Sequence, residues 1–293
     1  MKIAPIPQLQ SRPQVVQFLQ MATSGSTPAA ATPAATAAPA VPAAVTAAPT
    51  APTPIVSPNP TRPVTLAIDI GGSGLKAMLL DAAGNSVSQR LRIVTPAVPT
   101  PEVVLTALDE FRTPFPDFDR VSVGFPGIVK RGVTILSVNL HPDWCNFPLQ
   151  DKLAERWSKP VRVGNDADIA GYGVIQGRGV ELVLTLGTGL GSALFTDGHL
   201  VPGLELSLHP WRKKGMNYED SLGRRGLDKY GKARWNDFLE AAIKQTEMLF
   251  NWDHLYLGGG NTKKITFKLP KNVTIVSNES GLLGGVFLWK DQG

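Results

Sequence analysis

This chain has little cysteine and no long apolar run, and both absences narrow its class. Its 293 residues include a single cysteine, Cys145, which cannot form an intrachain disulfide, and no Cys/His spacing matches a structural zinc site. No apolar run reaches the roughly 18 to 20 residues that a membrane helix needs, and the N-terminus lacks the continuous apolar core of a secretory signal. These absences predict a soluble protein from a reducing, cytosol-like compartment.

Acidic residues are also absent before Asp69, a bias typical of organelle transit peptides. Only Lys2, Arg12 and Arg62 are basic in the same stretch, which is fewer than such peptides usually carry. A cytoplasmic location is therefore the main expectation, and an organelle stroma is the alternative. The whole chain has a formal net charge of +5, which is compatible with an anionic ligand but does not require one.

The composition of the chain changes near residue 64. Residues 1–63 are rich in Ala, Pro and Thr, and proline recurs too often for a helix or a sheet, so this extension is predicted to be disordered. From Val64 onward, short β-like runs alternate with helical stretches, which is the pattern of an α/β protein. We expect an N-terminal lobe over 64–164 and a C-terminal lobe over 165–293, with the last helix packing back on the first lobe.

The apolar patterns after residue 64 predict individual strands and helices. Strands are expected at Val64–Ile70, Ala77–Asp81, Val121–Phe125, Val161–Gly164, Leu182–Leu186, Ser192–Thr196 and Leu255–Leu257. Helices are expected at Glu102–Arg112, Leu149–Ser158, Asp168–Gln176 and Arg234–Phe250.

Two segments of the α/β region repeat one strand–turn–strand pattern. "LAIDIGGSGLKAMLL", which begins at Leu66, aligns without gaps with "LVLTLGTGLGSALFTD", which begins at Leu182. A glycine turn of this kind either closes a β-hairpin or presents backbone N–H groups to an anion such as phosphate. Because the pattern occurs twice in register, two lobes that each present a glycine turn to a shared cleft would surround a phosphate chain from both sides.

The two glycine turns resemble the phosphate loops of the ROK family of sugar kinases, in the actin/hexokinase superfamily. The resemblance continues in the family's order through "VGFPGIV", "NLHPDW", "VGNDADIAGYG", "LYLGGGNTKK" and "NESGLLGG", so it covers roughly Val64 to Lys290. Within the family, the short core and the missing zinc-binding cysteine cluster are most similar to the polyphosphate glucokinases. The resemblance implies a two-lobed, actin-like (ribonuclease H-like) α/β fold with a cleft between the lobes.

The resemblance implies phosphoryl transfer from inorganic polyphosphate, with ATP as a further donor, to the 6-hydroxyl of glucose or a related hexose. It also implies Mg²⁺ as cofactor, no zinc, no nucleic acid or membrane partner, and a homodimer. The alternatives are an ATP-dependent hexokinase for another hexose and a homologue that binds sugar or polyphosphate without turnover. Sugar-responsive repressors of the family carry a preceding helix-turn-helix domain, and the N-terminal segment here has no such periodicity.

The resemblance assigns roles to acidic and glycine residues. Asp166 in "GNDAD" matches the catalytic aspartate that accepts the proton of the sugar hydroxyl, while its alternative role is a helix N-cap. Asp69 matches the acidic residue that positions Mg²⁺, usually through water. Lys76 either reaches a phosphate or points to solvent. The implied phosphate-binding residues are Asp69, Gly71, Gly72, Ser73, Gly74, Lys76, Gly187, Thr188, Gly189 and Gly191.

The implied sugar-binding motif is broken. The family reads Glu-x-Gly-His, whereas this chain reads "ELSLH", with Ser207 at the glycine position and Leu208 at the histidine position. His209 follows one residue late and is the candidate substitute. A sugar hydroxyl left without its partner typically costs about 1 to 3 kcal/mol, so the choice of hexose stays open. The implied sugar-binding residues are Gly127, Asn139, Asn165, Asp166, Glu205 and His209.

Two further segments bear on the phosphoryl donor. Gly258, Gly259 and Gly260 resemble the nucleotide-side loop of the family, and the alternative is a plain strand-to-helix turn. A basic patch follows the broken motif, and it forms either a solvated helical face or a cleft rim that holds a long polyanion. The patch comprises Arg212, Lys213, Lys214, Arg224, Arg225, Lys229, Lys232 and Arg234.

Overall fold

The computed structural model describes residues 60–137, 140–212, 215–277 and 280–290. The predicted disordered extension lies outside the described residues up to residue 59. Its last residues contact the folded part, since the Thr61 carbonyl accepts the N–H of Ala82 at 2.9 Å and Arg62 pairs with Asp119. Ordered contacts therefore begin before Val64.

Strands and helices alternate along the described ranges, as the sequence predicts for an α/β protein. The strands are β1 (Thr65–Ile70), β2 (Leu75–Leu80), β3 (Leu91–Ile93), β4 (Arg120–Phe125), β5 (Gly127–Lys130), β6 (Val133–Ser137), β7 (Val161–Asn165), β8 (Val180–Leu186), β9 (Leu190–Thr196), β10 (His199–Val201), β11 (His254–Gly258) and β12 (Val273–Ile275). The helices are α1 (Pro101–Arg112), α2 (Leu149–Trp157), α3 (Asp166–Tyr172), α4 (Tyr218–Leu222), α5 (Arg224–Phe250) and α6 (Ser280–Leu283).

Two five-stranded sheets share one topology. The first has the order β3-β2-β1-β4-β7 and the second the order β10-β9-β8-β11-β12. In each sheet an antiparallel three-stranded meander is followed by two parallel strands. The duplicated strand–turn–strand pattern of the sequence is thus confirmed, because β1–β2 and β8–β9 occupy equivalent places. A small hairpin, β5–β6, stands apart from both sheets.

Alternating side chains of β1 bury both faces of the first sheet. Leu66 and Ile68 belong to a core that also contains residues of α1 and α2. Ala67 points to the opposite face, where it packs with Leu282 and Val286 from the C-terminal segment. That segment therefore covers the first sheet, although it follows the second sheet in the chain. No helix in the described ranges is long and apolar enough to cross a bilayer.

Two helices differ from the expected ones by two or more residues, and helix α4 was not predicted. Helix α3 begins at Asp166 rather than at Asp168, and it ends at Tyr172. Helix α5 begins ten residues before the expected Arg234, with a break at Gly231, whose φ is +75°. A glycine tolerates this left-handed conformation, so the two helical pieces meet there at a kink. Strands β3, β5, β6, β10 and β12 were not predicted, and each has only three to five residues.

Candidate functional site

Both glycine turns line one cavity of about 450 Å³. They are the turns of the β1–β2 and β8–β9 hairpins, so the hairpin and the cleft-facing turn are the same feature. Residues from both sheets line the cavity, and from the two loops these are Asp69, Gly71, Gly72, Ser73, Lys76, Gly187, Thr188, Gly189 and Gly191. Gly74 is buried behind the first turn, where its carbonyl accepts the N–H of Gly71 at 3.1 Å.

The loop glycines serve two different needs. A Cβ at Gly71 would lie 2.9 Å from the Gly74 carbonyl oxygen, and one at Gly191 would lie 2.3 Å from Thr185 Oγ1. These two positions therefore need glycine for close packing. A Cβ at Gly187, by contrast, would meet no atom within 4 Å, so its missing side chain leaves open space on the cavity wall.

Asp69 and Lys76 form an ion pair at the cavity. They are cross-strand partners in the β1–β2 hairpin, and Lys76 Nζ lies 2.6 Å from Asp69 Oδ2. Lys76 therefore does not simply point to solvent, and its contact with a phosphate stays a prediction. Its charge neutralises a carboxylate beside the first glycine turn.

The surroundings of Asp69 fit a magnesium ion held mainly by donor phosphates. Among the residues that the structure describes, no three His, Cys, Asp or Glu side chains gather where they could hold a metal ion alone. Mg²⁺ keeps several waters and usually takes only one or two protein carboxylates beside substrate phosphates. One partly buried carboxylate next to a glycine turn meets that requirement.

Helix α3 places Asp166 at the cavity. Its N-cap is Asn165, whose Oδ1 accepts the N–H groups of Ala167 at 2.8 Å and Asp168 at 3.1 Å. Asp166 is the first helical residue, so its alternative role as N-cap is wrong. The Asp166 carboxyl is consequently available to a ligand, apart from a 2.8 Å bond that Oδ1 accepts from the N–H of Ala167.

Burial raises the pKa of Asp166 from 3.8 to about 7. The negative charge of Asp69 adds to this effect, as do those of Asp168 and Glu205 to a smaller extent, whereas the Ala167 N–H opposes it. A carboxylate with a pKa near neutrality is a far stronger proton acceptor than an ordinary aspartate and is still largely ionised at slightly alkaline pH.

Asn165 joins helix α3 to the turn before β5. Its Nδ2 donates to the Gly127 carbonyl at 3.0 Å, while its Oδ1 caps the helix. A Cβ at Gly127 would lie 2.0 Å from the Leu136 carbonyl oxygen, so only glycine fits there. Gly127, Asn165 and Glu205 all line the cavity, whereas Asn139 lies outside the described residues.

A second cavity of about 550 Å³ adjoins the first at Asn165, Leu204 and Glu205, which line both. The β5–β6 hairpin forms another of its walls. Asp168 lines this second cavity, and burial together with the charge of Glu205 raises the pKa of Asp168 to about 7. Burial and the charge of Glu219 likewise raise the pKa of Glu205 to about 7.

The structure does not bring His209 to either cavity. Its side chain is exposed, its Nδ1 lies 3.0 Å from the Pro210 carbonyl oxygen, and its ring contacts Tyr218 edge to face. Ser207, two residues earlier, lines the first cavity. The expected substitution of the family histidine by His209 is therefore not seen in this structure.

The described part of the basic patch also lies off the cavity. Arg212 lies over the rings of Trp211 and Phe238, and Arg224 pairs with Asp228 at 2.8 Å. Neither residue lines the cavity, nor does Arg225, and Lys213 and Lys214 lie outside the described residues. A carboxylate, Glu219, lines the cavity beside the second glycine turn. Burial raises the pKa of Glu219, and the positive charge of Arg225 opposes this rise.

Several cavity residues escaped the sequence analysis. Arg90 and Glu219 line the first cavity although they lie outside the quoted motifs, and Ser192 lines it although the repeat that contains it gave it no role. Gly258, Gly259 and Gly260 line it as well, and Asn261 follows them in a 3₁₀ turn. Asn261 Nδ2 donates to the Gly187 carbonyl at 2.8 Å, so the segment that follows the triple glycine is bonded to the second glycine turn.

Comparison with known proteins places the chain among sugar kinases. A sequence profile of the ROK family matches residues 65–207. Polyphosphate glucokinase of Mycobacterium tuberculosis (strain CDC 1551 / Oshkosh) is 28% identical over 221 residues, which cover 73% of this chain and 82% of the relative.

Solved structures share the fold. The inorganic polyphosphate/ATP-glucomannokinase from Arthrobacter sp. strain KM superposes with a TM-score of 0.68 and 32% identity, over 76% of this chain and 97% of the other. The ROK family glucokinase from Streptomyces griseus, solved with glucose and AMPPNP, gives a TM-score of 0.65 at 21% identity, over 77% and 98% of the two chains. The α/β, actin-like fold expected from the sequence is confirmed by these similarities.

Proposed function

This chain belongs to the ROK family, and on that premise we propose that it transfers a phosphoryl group from inorganic polyphosphate, with ATP as a further donor, to the 6-hydroxyl of glucose. The carrying observation is the Asp166 carboxyl, with a pKa near 7, on a cavity that both glycine loops line. Relatives whose names state the same chemistry add support, since one of them is 32% identical over nearly its whole length.

Asp166 is the proposed general base. It accepts the proton of the sugar hydroxyl while that oxygen bonds to the terminal phosphorus, and the bridging P–O bond of the donor breaks. The donor leaves one phosphate shorter and the sugar leaves as its 6-phosphate. A base is most effective when its pKa lies near the working pH, which is the condition that burial and the charge of Asp69 create here.

The two glycine loops are the proposed phosphate cradle. Backbone N–H groups at turns without side chains can approach phosphate oxygens closely, and they bring no competing charge. Mg²⁺, when bound, neutralises charge on the donor phosphates, and Asp69 is the residue that would hold it, through water. Lys76 compensates the charge of Asp69.

Asn165 and Glu205 are the proposed sugar ligands, with Gly127 and Asn139. Asn165 is fixed by its own hydrogen bonds to helix α3 and to Gly127, so its position changes little when a sugar binds. Glu205 lies where the two cavities adjoin. A hexose at this junction would place its 6-hydroxyl toward Asp166.

Charge balance favours Arg90 over the basic patch as a contact for a polyphosphate donor. The charged residues on the cavity wall are Asp69, Lys76, Arg90, Asp166, Glu205 and Glu219. Lys76 is paired with Asp69, whereas Arg90 has no ion-pair partner in the described part of the chain. Glu219 lines the cavity, whereas Arg224 and Arg225 do not. Its carboxylate would repel a polyphosphate chain that extended from the cavity toward these two arginines.

We therefore expect Arg90→Gln to raise the KM for long-chain polyphosphate about fivefold, the upper range for one exposed charge contact. The KM for glucose should not change, because Arg90 lines only the first cavity and not the second cavity that adjoins it at Glu205. The matched control is Arg224→Gln, the same change at an arginine off the cavity. If Arg224→Gln raised the KM for polyphosphate more than Arg90→Gln does, the basic patch rather than Arg90 would be the contact for the donor.

The direct test of the proposed function is an assay of the purified protein against a panel of hexoses, with polyphosphate and ATP in parallel. Sugar 6-phosphate formed from glucose and polyphosphate is the expected product. Activity with ATP alone would support the alternative of an ATP-dependent hexokinase, and hexose binding without any turnover would support a non-catalytic homologue. The homodimer, the Mg²⁺ requirement and the cytoplasmic location remain predictions.

A further inference from the structure

The segment 204–209 carries a serine hydroxyl on the cavity wall that no described protein group engages. Ser207 is 6% exposed and lines the first cavity beside Glu205. Within the part of the chain that the structure describes, its Oγ has no hydrogen-bond partner. A hydroxyl on a cavity wall that no protein group engages is available to hydrogen-bond a ligand.

The neighbouring serine shows the contrast. Ser192 Oγ also lies at the cavity, but it donates to the Leu204 carbonyl at 2.9 Å and accepts the N–H of Leu206 at 3.2 Å. Both capacities of that hydroxyl are used by the backbone of the segment that carries Ser207. Ser192 therefore fixes the segment, and the hydroxyl of Ser207 stays available.

Ser207 stands in the broken motif that the family resemblance links to sugar binding, so a sugar is the candidate ligand for its hydroxyl. Leu208, which stands at the histidine position, lines neither cavity, and His209 is exposed. A 3₁₀ turn, Leu206–Leu208, presents Ser207 to the cavity instead, closed by the Leu208 N–H bond to the Glu205 carbonyl at 3.1 Å. Neither Leu208 nor His209 can supply a polar contact to the cavity in this arrangement.

We propose that Ser207 is a specificity-determining residue, whose hydroxyl hydrogen-bonds a sugar hydroxyl next to the one that Glu205 binds. This inference rests on the proposed function for its ligand class, a hexose. It goes beyond that function because it assigns a binding role to the residue at the glycine position of the motif. A hydroxyl both donates and accepts, so Ser207 can serve either orientation of the sugar hydroxyl.

Calorimetric titration of glucose without any donor tests the inference separately from turnover. Ser207→Ala and Ser207→Gly should bind glucose about three- to tenfold more weakly, the range for one neutral hydrogen bond. The matched control is Ser221→Ala, the same change at a fully buried serine whose Oγ also lacks a partner but which lies off the cavity. That variant should bind glucose like the unchanged protein.

Monodeoxyglucoses identify the hydroxyl concerned. For one of them the unchanged protein and Ser207→Ala should bind equally, because the partner of Ser207 is missing from the ligand, while the other analogues should retain the difference. Unchanged glucose affinity in Ser207→Ala, an equal loss in Ser221→Ala, or no hexose binding by the unchanged protein overturns the inference. Normal binding without sugar phosphate formation would refute the proposed function alone.

Discussion

Replacing Asp166 by asparagine should lower turnover at least about a hundredfold, the low end of what a general base contributes. The fold should persist, because the helix cap is Asn165 and because asparagine retains an oxygen for the Ala167 N–H. The measurement is kcat at saturating sugar and donor, with circular dichroism as the check on folding. Turnover within a few-fold of the unchanged enzyme would refute the assignment of Asp166 as base.

The same substitution should stabilise the protein at alkaline pH. Since the pKa of Asp166 rises from 3.8 to about 7 on folding, the native state binds more protons than the unfolded chain between about pH 4 and pH 7. Stability is lost as the pH rises through that window, and the whole penalty applies above it. Asparagine removes the penalty, so the Tm of Asp166→Asn should exceed that of the unchanged protein at pH 8 and match it near pH 4.

Asp168→Asn is the matched control for both effects. Asp168 lies in the same helical turn, its pKa is also raised to about 7 by burial and by Glu205, and it lines the second cavity rather than the first. The variant should gain stability at pH 8 as Asp166→Asn does, but keep kcat within about tenfold. If the two variants lose turnover equally, the effect belongs to the charge of this region rather than to proton transfer by Asp166.

The fold could be read from the sequence because its strongest signals are local. Seven apolar runs, bounded by glycine or polar residues, became β1, β2, β4, β7, β8, β9 and β11, which include all the central strands. The gapless alignment of the two glycine turns predicted that the strand–turn–strand pattern occurs twice. The missed strands are short edge or hairpin strands, whose few residues carry no clear alternation and which form because a longer neighbour is already in place.

The site was only partly predictable, because cavities bring together residues that are distant in sequence. Asp69, Asp166 and the loop glycines were found because they belong to contiguous motifs. Arg90 and Glu219 belong to none, and their position at the cavity follows from the chain segment that leads into β3 and from helix α4. The basic patch shows the opposite case: the sequence left two alternatives open, because a cluster of charges does not say which face of a helix carries them or whether that face meets the cavity.

Gly187→Ala is expected to weaken the binding of polyphosphate and of ATP, with each KM raised about 10- to 100-fold, without disturbing the fold. Its Cβ would meet no protein atom within 4 Å, so the native packing can accept it. The added methyl would occupy space on the cavity wall, where it keeps phosphate oxygens away from the loop N–H groups. Hydrogen bonds to charged groups contribute about 1.5 to 3 kcal/mol each, and losing one gives that range in KM.

Alanine variants of two further glycines are the controls for Gly187→Ala. In Gly191→Ala the new Cβ would lie 2.3 Å from Thr185 Oγ1 and 2.9 Å from Ala167 Cβ. This variant should lower Tm by several degrees, and any loss of its activity should follow from the disturbed packing. Gly260→Ala meets no atom within 4 Å and lies on the proposed nucleotide-side loop. It should raise the KM for ATP and leave the KM for polyphosphate unchanged, because polyphosphate has no nucleoside to reach that loop.

The three variants together separate a phosphate cradle from a plain hairpin turn. A cradle requires that Gly187→Ala keep its Tm within about one or two degrees and still raise the KM for polyphosphate and for ATP alike. A turn that only reverses the chain would tolerate alanine at Gly187, where nothing crowds it, and both KM values would stay the same. Tripolyphosphate titrated into the protein without sugar gives the same comparison as a dissociation constant, so the outcome does not depend on turnover.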